Sequence, residues 1–275
     1  MKTTSHSYLF VPGDRPERFD KALAAGADRV IFDLEDAVLP EAKSRARDAL
    51  HGWLAQHGAD PRLLVRINGA ETPWHADDLR LAAALPGIAG VMLPKAERAS
   101  DLARVRAALR QEQALYALIE TVDGIVRLRE IAAVAGLTRL AFGSVDFCAD
   151  AGMSDERAAL DPMRTQLVIE SRHARLPAPV DGVTLAMGDE AALTSDVRHA
   201  RMLGMGAKLC IHPRQIDAVN RGFLPTEAES AWARRVLDAV AQAGAGAIAV
   251  DGKLVDRPVV ERAKAIAAQL EQESS

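Results

Sequence analysis

Three charged groups in this chain stand where a buried apolar run should have none. Glu120 ends Leu115-Tyr-Ala-Leu-Ile-Glu120, Arg66 lies inside Leu63-Leu-Val-Arg66-Ile-Asn68, and Asp146 follows Arg139-Leu-Ala-Phe-Gly143-Ser-Val. A further run, Val30-Ile-Phe-Asp33-Leu-Glu35-Asp36, turns acidic at its C-terminal end. Burying a charge is expensive unless it is paired or holds a metal. Such stretches, about one strand-helix unit apart, predict a single site built from the ends of neighbouring strands.

The residue types narrow the chemistry. Glu120 and Asp146 are the best candidate metal ligands, and hard carboxylate oxygens suit Mg²⁺, which takes one or two of them plus substrate and water. The competing reading is a pair of solvated loop acids. No His pair has zinc-ligand spacing. Glu35 and Asp36 could ligate the metal directly or orient its waters, the second being preferred, or are simply the acidic start of a helix. Arg66 reads equally as an interior arginine paired with Asp33 or Glu35 and as a clamp on a developing oxyanion; a metal beside it favours the clamp. Lys95 and Lys208 fall on predicted strands. A Schiff-base role is weighed for both, and a salt bridge to the acidic cluster is preferred. His212-Pro213 reads as an ordinary strand end, and Cys148 and Cys210 as small buried hydrophobes.

The elements that must position these groups follow from the pattern. Predicted strands start at Tyr8, Val30, Leu63, Gly90, Leu115, Arg139, Val180 and Ala207, with helical periodicity after each. The strand at Arg139 is expected to end near Asp146, and Val180 to Thr184 forms a weak seventh. Ser100 and Asp123 are expected helix caps. Eight strand-helix alternations in about 215 residues predict an α/β fold, a (β/α)8 TIM barrel, with its site at the C-terminal strand ends. A doubly wound sheet fits less well, since no GxGxxG follows the first strand. Residues 1–222 are assigned to the barrel and 223–275 to a C-terminal helical and hairpin extension, with Gly244 to Gly246 as a hinge and Asp251-Gly252 as a turn. The extension reads as a lid or a subunit-contact arm.

Composition excludes several classes. The chain has 275 residues, 49% of them hydrophobic, with a net charge of -4 and no polybasic block. Nucleic-acid binding is not expected. No apolar run reaches the roughly 18 residues of a membrane span. Two cysteines without a CxxC pair, and a polar start leading straight into a strand, predict a cytoplasmic protein without a signal peptide.

Seven motifs occur in order: Leu9-Phe-Val-Pro-Gly13, Asp33-Leu-Glu-Asp-Ala-Val38, Val65-Arg-Ile-Asn68, Leu93-Pro-Lys95, Leu118-Ile-Glu-Thr121, Gly143-Ser-Val-Asp-Phe147 and Ile211-His-Pro213. Together they resemble the citrate lyase beta-subunit-like branch of the HpcH/HpaI aldolase superfamily over nearly the whole chain. The resemblance implies a trimeric or hexameric barrel with Mg²⁺ on Glu120 and Asp146, Glu35 and Asp36 behind the metal waters, and Arg66 on the substrate. It implies cleavage of a 3-hydroxy-acyl-CoA thioester, of citryl-, malyl- or citramalyl-CoA type, to acetyl-CoA and a 2-oxo acid. It also implies an aspartate supplied by a neighbour's tail, for which Asp256 in Val255-Asp256-Arg-Pro258 is the first choice and Asp251 the second. Arg15 and Arg18 are candidate phosphate contacts. The family usually carries Arg-Ser before the first strand; here the pair is His6-Ser7, which bears on the acyl group accepted. The alternatives are a metal-dependent aldolase on free hydroxy-oxo acids and a partner-dependent lyase subunit.

Overall fold

The computed structural model describes residues 5–243 and 248–273. Eight parallel strands close into a barrel in sequence order. They are β1 (Ser7–Pro12), β2 (Arg29–Asp33), β3 (Leu63–Arg66), β4 (Gly90–Leu93), β5 (Ala114–Ile119), β6 (Arg139–Phe142), β7 (Val180–Asp181) and β8 (Ala207–Cys210). The helices are α1 (Phe19–Leu23), α2 (Lys43–His57), α3 (His75–Ala84), α4 (Ala99–Ala108), α5 (Val122–Val126), α6 (Leu128–Ala132), α7 (Ser144–Ala151), α8 (Arg157–His173), α9 (Glu190–Leu203), α10 (Ile216–Phe223), α11 (Glu227–Ala243) and α12 (Arg257–Glu273). The (β/α)8 barrel expected from the sequence is the observed fold.

The strands are short apolar runs because both of their faces are covered. Alternate residues fill the interior: Tyr8, Ile31, Leu64, Met92, Tyr116, Leu118, Ala141, Val180, Ala207 and Leu209 form one buried cluster, as the period of two requires. Arg139 crosses the N-terminal end, donating to the Tyr8 hydroxyl at 3.0 Å and to the Ser5 carbonyl at 2.8 Å. The outward residues pack on the helices. Phe19 stacks on Phe32 at 4.1 Å, and Trp53 meets Phe32 edge-on at 5.5 Å, joining α1, β2 and α2.

Several boundaries differ from the sequence reading. β6 stops at Phe142, so Asp146 lies in the first turn of α7 instead of on the strand. β7 has two residues, not five. Helix α4 starts at Ala99 without a side-chain cap, and the Thr121 hydroxyl, not Asp123, caps α5. Lys208 does sit on a strand but points outward. It pairs with Asp181 at 3.1 Å and donates to the Gly182 carbonyl, and Arg164 of α8 binds the same aspartate at 2.7 Å. It therefore has no part in the acidic cluster at the barrel mouth. Cys210 is buried as expected, whereas Cys148 is half-buried.

The chain divides into two compact units near residue 220. In the C-terminal unit, α11 and α12 bury Ala233, Val236, Ala263 and Ile266 between them. Strands β9 (Ile248–Val250) and β10 (Lys253–Val255) form an antiparallel hairpin. Asp251 and Gly252 turn it with φ of 51° and 73°, the positive values such two-residue turns need. The Gly244 to Gly246 hinge lies outside the described residues. No helix among the described residues is long and apolar enough to cross a membrane.

The Asp181 group is buried on every side. Burial alone would push its carboxyl up; the Lys208 and Arg164 charges outweigh that and hold it below its ordinary value. A depressed carboxylate stabilises the fold above its unfolded pKa and loses that effect as pH falls through the folded one. An Asp181→Asn variant is expected to lose about 3–5 kcal/mol in urea unfolding at neutral pH, because it strands two buried cations. Its deficit relative to the parent should shrink below about pH 4.

Candidate active site

The barrel register sets the centre of the site. Asp33 and Arg66 are direct partners across β2 and β3. Arg66 donates Nε to Asp33 Oδ1 at 2.7 Å and Nη2 to Oδ2 at 2.6 Å. Its guanidinium lies over the Phe10 ring of β1, 4.7 Å from the centroid. Asp33 also accepts the Glu35 and Ala37 backbone N–H groups at 2.8 and 3.1 Å, which folds the turn after β2 back onto the strand end. Burial raises the Asp33 carboxyl, but Arg66 and these N–H groups outweigh it and hold it below the usual range.

That turn carries Glu35 into the barrel mouth. Glu35 Oε1 lies 2.5 Å from Lys95 Nζ, and Oε2 lies 3.1 Å from Arg66 Nη1. The second contact is close enough for charge attraction but not aligned as a hydrogen bond, so buried Oε2 is left without a donor. Lys43, from the start of α2, donates to the Leu34 and Glu35 carbonyls at 2.8 Å each. Lys95 is not on a strand: it follows β4 with a left-handed φ of 46°. Such a conformation in a lysine costs of order 1 kcal/mol and marks a constrained position. It aims the Lys95 backbone N–H at Glu120 Oε1, 2.9 Å away, and places Nζ 3.8 Å from the same oxygen.

Glu120 follows the last residue of β5 and is 2% exposed. Its carboxyl is pushed up to about 8: burial outweighs the pull of Arg66 and Lys95, and the nearby Glu35 and Asp146 charges add to the rise. Gly143 leaves it room, since a Cβ there would collide with the Glu120 Cβ and Oε2. Asp146 and the half-exposed Asp36 complete the acidic side. Asp33, Asp36, Arg66, Glu120 and Asp146 all line one cavity of about 430 Å³ at the C-terminal strand ends.

Every barrel residue singled out as a ligand, clamp or supporting acid therefore meets at this mouth, with Lys95 bonded to two of the acids. The paired-arginine and clamp readings of Arg66 are compatible: three of the five N–H groups a guanidinium carries face Asp33 and Glu35, and Arg66 still lines the cavity. His212 caps the turn after β8, accepting from Arg214 N. Asp256 and Asp251 lie in the C-terminal unit, where Asp256 accepts from Val259 N at 3.3 Å and Asp251 pairs with Arg235 at 2.8 Å. His6 precedes β1 at the N-terminal end of the barrel and binds the Gly206 carbonyl. The position where the family usually has arginine thus lies at the opposite end from the cavity. Sequence reading missed Lys43, Phe10 and Gly143. Lys43 carries no signal of its own among helical lysines, but Phe10 lies two residues from Tyr8 on the same strand face.

Among the described residues no group of three or more His, Cys, Asp or Glu is spaced as a complete metal cage. The donor set fits a cation that needs fewer protein ligands. Two carboxylates, Glu120 and Asp146, border one cavity, and buried Glu35 Oε2 at the same mouth accepts no hydrogen bond. A hard divalent cation with one or two carboxylates and water suits this arrangement.

Residues 6–213 match the family described as HpcH/HpaI aldolase/citrate lyase. A citrate lyase subunit beta-like protein of Mycobacterium tuberculosis is 39% identical over 275 residues, covering 96% of this chain and 95% of that one. The chain belongs to this family. A (3S)-malyl-CoA thioesterase of Cereibacter sphaeroides is 36% identical over 276 residues, covering 95% of each chain. The crystal structure of CitE from Mycobacterium tuberculosis in complex with magnesium, acetoacetate and coenzyme A superposes with a TM-score of 0.85 at 34% identity, covering 100% of both chains. The resemblance drawn from seven motifs is thereby borne out, and with it membership in a family of aldolases and lyases.

The Gly143 contact yields a prediction. Gly143→Ala should displace Glu120, cost about 1–3 kcal/mol in urea unfolding through overpacking, and weaken Mg²⁺ binding by isothermal titration at least ~10-fold. Unchanged affinity would mean that Glu120 does not need the space Gly143 leaves.

Proposed function

We propose that this protein is a Mg²⁺-dependent carbon-carbon lyase. Its substrate would be a 3-hydroxy-acyl-CoA thioester, and its products acetyl-CoA and a 2-oxo acid. The observation that carries the reading is the convergence of Glu120, Asp146 and Arg66 on one cavity. The relative bound to magnesium, acetoacetate and coenzyme A supports it.

Glu120 and Asp146 would hold the ion, which when bound supplies Lewis-acid polarisation and a template for the oxygens of the oxo-acid half. Glu35 and Asp36 orient the water around that position, and Lys95 fixes Glu35 and Glu120 relative to each other. Cleavage begins as the water that Glu35 and Asp36 orient takes the hydroxyl proton and passes it to solvent. The carbon-carbon bond breaks, and its electron pair passes into the thioester as an enolate. The N–H groups of Arg66 not spent on Asp33 and Glu35 stabilise the enolate oxygen. The pairing with Asp33 holds the guanidinium still, so little reorganisation is needed as charge develops. A proton delivered to the enolate carbon completes acetyl-CoA, and Asp256 of a neighbouring subunit is the proposed donor. This assigns residues 223–275 to a tail that serves the next copy in a homotrimer or hexamer.

Thioester hydrolysis is a second reading, favoured by the malyl-CoA thioesterase relative. The test is release of acetyl-CoA from citryl-, malyl- and citramalyl-CoA, followed by chromatography with Mg²⁺ and with a chelator. Lyase action yields acetyl-CoA, whereas hydrolysis yields free CoA. Arg66→Ala, checked for fold by circular dichroism, is expected to lose on the order of 10²-fold or more in turnover. Unchanged turnover would remove Arg66 from the chemistry. Asp256→Asn should slow turnover while leaving oxo-acid binding intact; full activity would reduce the tail to an assembly element.

A further inference from the structure

The charges around the cavity are not distributed evenly. Acids and the arginine come from one arc of the barrel: Asp33 from β2 and Asp36 from the turn after it, Arg66 from β3, Glu120 from just past β5 and Asp146 from the start of α7. The remaining arc runs through β7, β8 and β1, which are consecutive neighbours in the closed sheet. It lines the cavity with Val183, Leu209, Ile211, Phe10 and Pro12 and contributes no charged side chain.

The cations nearby are committed. Arg66 is held by Asp33 and Glu35. Lys95 Nζ faces Glu35, Asp36 and Glu120. Lys208 stands on β8 but points away and is bound by Asp181. His212, just past β8, caps the following turn through Nδ1. Arg15 and Arg18, beyond β1, do not line the cavity, and their side chains are 56% and 59% exposed.

We infer that the oxo-acid half of the substrate is a monocarboxylate whose substituent is small and apolar, as in pyruvate, and that Val183, Leu209, Ile211 and Phe10 select it. The inference rests on the lyase reading. One carboxylate and the adjacent oxygen go to the metal side. The substituent then lies on the uncharged arc. A methyl group gains from leaving water there. A second carboxylate, as in oxaloacetate, would leave water with no cation on this arc to receive it, among the described residues, and with acids across the cavity, which is the arrangement that rejects a ligand. The thioester is accordingly of the citramalyl-CoA kind and not the citryl-CoA kind.

The test is isothermal titration of the full chain, with saturating Mg²⁺, against pyruvate and against freshly dissolved oxaloacetate whose decay to pyruvate is followed by NMR. Pyruvate should bind at least ~10-fold more tightly. Ile211→Lys, which places an ammonium on the apolar arc, should shift the preference toward oxaloacetate by a similar factor. Oxaloacetate binding as tightly as pyruvate in the parent would overturn the inference and leave the lyase reading standing. A folded Ile211→Lys protein with an unchanged ratio would overturn the assignment of the arc. Failure of both acids to bind, with and without acetyl-CoA, would overturn the lyase reading itself and the inference with it.

Discussion

The bidentate pair between Asp33 and Arg66 is the interaction on which the mouth of this barrel depends. Both side chains are almost wholly buried, and both belong to adjacent strand ends in direct register. An arginine taken this far out of water is tolerated only because its partner meets it with two aligned hydrogen bonds. The pair does more than cancel charge. Asp33 also gathers the backbone of the next turn, and Arg66 rests on Phe10, so three neighbouring strands are tied at one point. Glu35 reaches Arg66 and Lys95 because that turn is fixed, and Lys43 ties the same turn from behind.

Two carboxylates in one cavity then meet opposite fates. Asp33 accepts from a guanidinium and two backbone N–H groups and is held low. Glu120 is as deeply buried but accepts chiefly from the Lys95 backbone, and sees Glu35 and Asp146 nearby, so its carboxyl rises to about 8. Environment decides the difference, not residue type. The first group is a completed structural pair. The second borders the cavity together with Asp146 and is the carboxylate that would take a cation there.

Much of this was legible from the chain because its signals were local. Charges ending apolar runs gave the barrel strands and the residues at their mouths, and Asp251-Gly252 gave the turn of the β9–β10 hairpin, where φ is 51° and 73°. What the sequence hid was non-local. Asp146 reads as the end of a strand because Phe142 and Val145 flank Gly143 and Ser144, yet the chain has already turned into a helix. Lys208 and Lys95 look alike in sequence; one faces the helices and the other the acids of the barrel mouth, and only the register and a left-handed φ separate them. Lys43 looks like any exposed helix lysine until the turn before it folds back. His6 drew notice only through the resemblance, and its place just before β1 puts it at the end of the barrel away from the cavity.

The central claim is that Glu120 and Asp146 hold a hard divalent cation at the barrel mouth. Its most direct test is a titration of the protein with Mn²⁺ in place of Mg²⁺, read as loss of the free-ion signal by electron paramagnetic resonance. The parent should bind one Mn²⁺ per chain in competition with Mg²⁺. Glu120→Gln and Asp146→Asn, both folded, should each weaken binding at least ~10-fold. Undiminished binding in both variants, or no binding in the parent, would contradict the account.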